Sequence, residues 1–274
     1  MPSDVVSRES YGAAVERLNS FAAGADAERV AAVGDDVLSV ARLLAREPRL
    51  RRALVDPARP AEARVDLLRT LLDGKVADEA LDLVALLVGG RWGPPTELLN
   101  ATERLGVEAL LASAERAGEL NNLEDELFRF GQIVSGDREL AATVGDSTAD
   151  EERRATLVRD LLDGKAGPVT VRLAVLAVAG FGGRGFEASL GRLVELAAAR
   201  RDRTVAYVIT AMPPTDDEEQ RLAATLARMY GRQISLKIEV NPAVIGGASV
   251  RVGSDLYDGT VLRRLVEARQ ALSR

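Results

Sequence analysis

Three glycines, Gly180, Gly182 and Gly185, stand in the spacing G-x-G-x-x-G, behind the apolar run LAVLAVA and ahead of a helical stretch. In a dinucleotide-binding unit such glycines let backbone N–H groups close on a pyrophosphate at a helix N-terminus. Three features oppose that chemistry here. The run is Ala-rich and follows Pro168, which suits a helix start rather than a strand. Its counterpart within the chain, LDLVALLVGG, opens into RWGPP with no fingerprint. The next strand-like segment, TVAYVIT, carries no acid at its end for a ribose. The loop therefore reads as a glycine-rich joint between two helices. Carboxylates cluster at Glu124–Glu126, Asp150–Glu152 and Asp216–Glu219, where acid–base work or Mg²⁺ binding is conceivable. They lie in or near predicted first helical turns, where negative charge meets the helix dipole favourably. Lys75 and Lys165 each follow Asp-Gly at a predicted helix end, a place where a cation balances the dipole, and no Ser or Thr follows to complete a P-loop. Ser249 and Ser254 have no visible general base.

Composition narrows the chemistry further. The chain of 274 residues has no Cys and no His, which removes disulfides, thiolate nucleophiles, Cys/His zinc sites and Ser-His-Asp triads. No catalytic, cofactor-binding or metal-ligating residue is assigned. The net charge of −6 and the absence of a Lys/Arg block argue against nucleic acid. No apolar run reaches the roughly 18 residues of a transmembrane helix, and MPSDVVSRES has no signal-peptide core, so any membrane contact is expected through a partner.

The elements that position these residues are mostly helices. Apolar residues recur at helical spacing from Tyr11 through Leu44, and further helices are expected at about 77–88, 95–117, 120–135, 149–163, 168–180 and 186–201. LLDGK occurs at 71–75 and again at 161–165, an offset of 90 residues. Leu50, Asp56, Glu62, Arg64 and Leu67 recur at that offset as Leu140, Asp146, Glu152, Arg154 and Leu157. This in-register match reads as a duplicated helical unit. From residue 204 the pattern changes. TVAYVIT and QISLKIEV read as strands, Thr215 with Glu218 as a capping box, and Leu222, Leu226, Met229 and Tyr230 as the buried stripe of the helix between them. VIGGASVRV (244–252) is a strand interrupted by Gly246 and Gly247, residues 253–255 read as a hairpin turn, and a closing helix is expected at 261–272. The expected fold is mainly α: an N-terminal helical bundle (1–117), a repeat-like helical unit (118–203) and a small α+β domain (204–274). Trp92 is expected to staple helices together or to contact a partner, the staple being favoured.

The stretch from Val240 to Gly253 resembles the signature of the ATP synthase delta family, which includes the mitochondrial oligomycin-sensitivity-conferring protein. Val240, Asn241, Val244, Gly246, Gly247, Val250, Arg251 and Gly253 fill its places, with Asp258 and Thr260 matching the Asp-x-Ser-like pair that opens the last helix. Tyr11, Ala14 and Val15 resemble the family's opening helix, Gly12 replacing its first Ala. The chain exceeds the ordinary family length by about one helical unit, as enlarged actinobacterial forms do. The resemblance implies a non-catalytic stator subunit on the cytoplasmic face of the bacterial plasma membrane. Its N-terminal bundle would hold the N-terminal helices of the alpha subunits, with Tyr11, Ala14, Val15 and Leu18 lining the groove, and its C-terminal part would hold the b-type stalk. The duplication leaves open which copy meets the head. Two other readings are a helical adaptor of another assembly and a nucleotide-dependent enzyme using the loop at 180–185.

Overall fold

The computed structural model describes residues 2–203, 205–230, 234–241, 244, 247–252 and 255–259. Gly246, Gly253, Ser254, Thr260 and the expected closing helix 261–272 lie outside the described residues. The chain forms two compact units, 1–197 and 198–274.

The first unit is all helix. Its elements are α1 (Pro2–Gly24), α2 (Ala27–Arg46), α3 (Pro48–Val55), α4 (Ala61–Leu72), α5 (Asp78–Gly89), α6 (Pro95–Arg116), α7 (Leu120–Gly136), α8 (Arg138–Gly145), α9 (Glu151–Leu162) and α10 (Pro168–Ala179). A short 3-10 turn (Phe181–Gly183) leads to α11 (Phe186–Arg203), whose last residues enter the second unit. Helix starts follow local chemistry. Asp26 and Asp150 cap α2 and α9 by accepting from Arg29 N at 2.7 Å and Arg153 N at 2.9 Å. Pro48, Pro95 and Pro168 occupy first helical positions, where their missing N–H is not needed. The eight-residue helices α3 and α8 are additions to the pattern expected from sequence; each is too short to display a periodic apolar stripe.

The internal repeat is structural. Helices α3, α4 and α5 recur at the offset of 90 as α8, α9 and α10, with identical bounds. Gly74 and Gly164, at φ +68° and +64°, end α4 and α9 in the same left-handed turn. Helix α6 belongs to both copies. Its Leu98, Ala101, Leu105 and Ala109 complete the first hydrophobic core, and its Val107, Leu110, Leu111 and Ala114 open the second.

The second unit holds β1 (Val205–Thr210), α12 (Asp216–Tyr230), β2 (Ser235–Val240), β3 (Ala248–Val252) and β4 (Asp255–Asp258) in a sheet of order β2-β1-β3-β4. β1 and β2 are parallel, as a crossover through α12 allows, while β3 and β4 are antiparallel to their neighbours. The capping box at Thr215 is reciprocal: Thr215 N donates to Glu218 Oε2 at 2.9 Å, and Glu218 N donates to Thr215 Oγ1 at 3.3 Å. Leu226 is buried and Leu222 and Tyr230 pack beside it. Met229, expected on the same stripe, is 57% exposed, because α12 lays only the i, i+4, i+8 line on this narrow sheet.

Candidate functional site

The glycine loop is not a phosphate cradle. The segment before it is helix α10, not a strand. Gly180, Gly182 and Gly183 have positive φ, and Gly182 N donates to the Glu103 carboxylate at 2.8 Å. A carboxylate already sits where an anion would bind. Burial raises the Glu103 carboxyl above its ordinary value, while the Gly182 N–H it accepts pulls it back. Lys75 Nζ and Lys165 Nζ donate to Leu71 O and Leu161 O at 2.8 and 3.0 Å, closing helix ends. Trp92 packs against the first core, and its indole N–H donates to Leu87 O at 2.7 Å, a staple. Among the described residues no group of three or more acidic side chains could hold a metal ion.

What the first unit offers is surface shape. A cleft of about 630 Å³ runs between α2 on one side and α9–α10 on the other. Leu38, Ala41, Val171, Val175 and Leu176 line it with apolar surface, and Asp35, Arg42, Arg46, Glu151 and Arg172 ring it with charge. Arg172 bridges to Asp35 at 3.4 Å. Burial raises the Asp35 carboxyl, against the pull of Arg172 and Arg42. An apolar trough with charged rims suits the two faces of an amphipathic helix.

The residues expected at the head-binding groove share helix α1 but not one environment. Ala14 and Leu18 are fully buried in the first core. Tyr11 and Val15 are half-buried against it, with the Arg104 guanidinium 5.0 Å over the Tyr11 ring. The C-terminal signature is brought together more tightly. Asn241 N donates to Thr210 O at 2.8 Å and Val244 N donates to Asn241 O at 3.0 Å, tying the end of β2 to β1. Gly247 adopts φ +80°, a backbone state that favours glycine, just before β3. Val250 is buried, Arg251 stacks 4.9 Å over Tyr207, and Asp258 pairs with Ser249 across the β3–β4 ladder. Val240 stays 43% exposed. Gly246, Gly253 and Thr260 of that signature lie outside the described residues.

The family model described as ATP synthase delta (OSCP) subunit matches residues 107–272. The chain belongs to the ATP synthase delta (OSCP) subunit family. Relatives extend the likeness over its whole length. The chain is 59% identical over 268 residues to ATP synthase subunit delta of Salinispora arenicola, covering 98% of each. It is 46% identical over 267 residues to the protein of the same name from Streptomyces griseus subsp. griseus, covering 97% of this chain and 98% of the other. A chain in the cryo-EM structure of the Toxoplasma gondii mitochondrial ATP synthase hexamer is similar at TM-score 0.34 and 18% identity, over 61% of this chain and 95% of that one, too loosely to carry an argument. The delta-family match opens at Val107, in the second half of α6, so the α1 residues fall outside the matched stretch. The shared helix α6 and the surfaces of α7–α11 are what sequence reasoning missed. The repeat offset pointed to them, but it gave no sign of which copy carries the family match.

Proposed function

We propose that this chain is the non-catalytic peripheral-stalk subunit of a proton-translocating F-type ATP synthase. The observation that carries this is similarity along nearly its full length, through both helical copies and the C-terminal unit, to proteins named ATP synthase subunit delta. The subunit works mechanically, by holding the catalytic head against rotor torque. It needs stiff elements and partner grooves, not a reactive site. No helix of the described residues is long and apolar enough to cross a membrane, and membrane contact is made through partner subunits on the cytoplasmic face.

The division of labour follows 1–117, 118–203 and 204–274. The cleft between α2 and α9–α10 takes an amphipathic N-terminal helix of an alpha subunit, because it joins an apolar floor to charged rims and its α9–α10 wall lies inside the stretch that matches the family model. From α1, Tyr11 and Val15 add to a head contact; Ala14 and Leu18 support it from inside the core. The C-terminal signature holds the b-type stalk, with Val240 offering an exposed apolar contact.

Reconstitution tests this. Membrane vesicles are stripped of the catalytic head, and cognate head is added back with and without the chain. Pumping driven by ATP is expected only with the chain present, while ATP hydrolysis by free head is indifferent to it. Pumping restored equally in its absence overturns the proposal. Val171→Asp, at a half-buried position of the cleft, is expected to weaken head rebinding and to leave stalk binding intact.

A further inference from the structure

The two helical copies differ at the start of α4 and of its counterpart α9. In the second copy the chain supplies an anion there: the Asp150 side chain caps α9 by accepting from Arg153 N at 2.9 Å. In the first copy Pro60 holds the place of Asp150, and α4 opens with no side-chain hydrogen bond at its cap. Its first-turn N–H groups, at the positive end of the helix dipole, lack the carboxylate that the same fold places in the other copy.

Positive charge is added at that spot. A cavity of about 730 Å³ lies beside the start of α4, walled by Pro57, Pro60 and Trp92 and by Arg59, Arg64 and Arg91. Three arginines line it and no acidic side chain does. Arg64 is 4% exposed, donates to the carbonyls of Leu54, Gly89 and Gly90, and leaves Nε without a partner. Burial and the charge of Arg91 push Arg64 below the ordinary arginine range. Asp56 and Glu62 pull the other way, and neither lines the cavity. Arg59 reaches Asp56 only at 3.6 Å.

Arg154 leaves the same nitrogen unpaired in the second copy, but the charge around it is different. Ala149, Asp150 and Phe181 stand where the first copy has Arg59, Pro60 and Arg91. Phe181 is 5% exposed in the second core, whereas Arg91 is exposed. Residues 42–64 hold seven arginines against three acids, and their counterparts 132–154 hold three against six. The fold therefore does not require these cations, since the second copy forms without them.

We propose that the cavity at the start of α4 binds an oxyanion, a carboxylate or a phosphate, that comes from outside the chain and takes the place Asp150 takes in the second copy. Arg59 and Arg91 donate charge-assisted hydrogen bonds to it from the exposed side. The uncapped first turn of α4 supplies further N–H donors, and Arg64 adds its charge from the floor. The site shares no residue with the α2/α9–α10 cleft and does not depend on the stalk reading.

Trp92 is the only tryptophan of the chain, so its fluorescence reports on this cavity. The isolated full chain is titrated with inorganic phosphate and, separately, with tetraglutamate, each against sodium chloride at matched ionic strength. A saturable change in emission is expected. A response to phosphate assigns the site to a free ion, and a response to tetraglutamate only assigns it to an acidic segment of another chain. Arg91→Gln should raise the Kd about fivefold or more and leave the melting temperature unchanged. Pro60→Asp gives α4 the cap that α9 has, so it should melt no lower than wild type and lose the response. No saturable response to either probe, an equal response to chloride, or wild-type affinity in either Arg91→Gln or Pro60→Asp each overturn the site.

Discussion

The first and second helical copies share their buried polar contacts and differ in their surfaces. Arg64 in α4 donates to Leu54 O at 3.4 Å and Gly90 O at 2.9 Å; Arg154 in α9 donates to Val144 O and Val178 O at 3.1 and 3.2 Å. Both arginines are buried, and both tie the C-terminus of a short helix to the end of the helix that follows. Asp36 accepts from Ala77 N at 2.8 Å, and Glu126, with one more methylene at the counterpart position, accepts from Gly167 N at 3.0 Å. These groups cannot vary freely, because a buried carbonyl or amide without its partner costs free energy. Leu38 and Phe128, or Arg104 and Val194, were free to diverge because no backbone group depends on them. The buried contacts specify the fold twice, and the surfaces of the two copies differ.

Removing an arginine from one copy should break this equivalence most severely. Arg154→Leu strands two carbonyls and is expected to cost about 3 kcal/mol, with Arg64→Leu close behind, both read by urea unfolding. Costs that differ by more than about 2 kcal/mol would mean that the copies do not use the residue alike. Gly106→Val tests the shared helix. Its side chain meets Leu38 at 2.6 Å and should cost about 2 kcal/mol, whereas Gly12→Ala, with nothing within 4 Å of its Cβ, should be neutral or stabilising. In the C-terminal unit, Gly247→Val forces a branched side chain into φ +80° and should cost about 1–2 kcal/mol locally. It should weaken stalk binding and leave the helical unit's melting unchanged; full stalk affinity would contradict that division. Glu103→Gln should have the smallest effect. The wild-type carboxyl is raised by burial, so the folded state holds its proton more tightly than the unfolded chain does. The resulting penalty is absent where both states are protonated and grows as pH rises through the ordinary carboxylate range. Gln can still accept from Gly182 N. The variant should therefore melt slightly higher than wild type at pH 7, and the advantage should vanish below about pH 4.

Helix identity, the repeat, the capping box at Thr215 and the special backbone near Gly247 could all be read from the chain, since each depends on neighbours within a few residues or on an exact recurrence. The family signature was readable for the same reason: its residues are nearly consecutive. The short helices α3 and α8 were not readable, because eight residues hold too little periodicity. The burial of Ala14 and Leu18 beside half-exposed Tyr11 and Val15 was not readable either, since an apolar stripe looks the same whether it meets its own core or a partner. The sequence by itself therefore determined which elements form and that one set of them occurs twice. Only the tertiary structure decided that α6 serves both copies, that Leu38 is covered while Phe128 is bare, and that the amide of Gly182 is taken by Glu103. Those outcomes depend on which helix crosses which, at separations of tens of residues, and local chemistry carries no record of it.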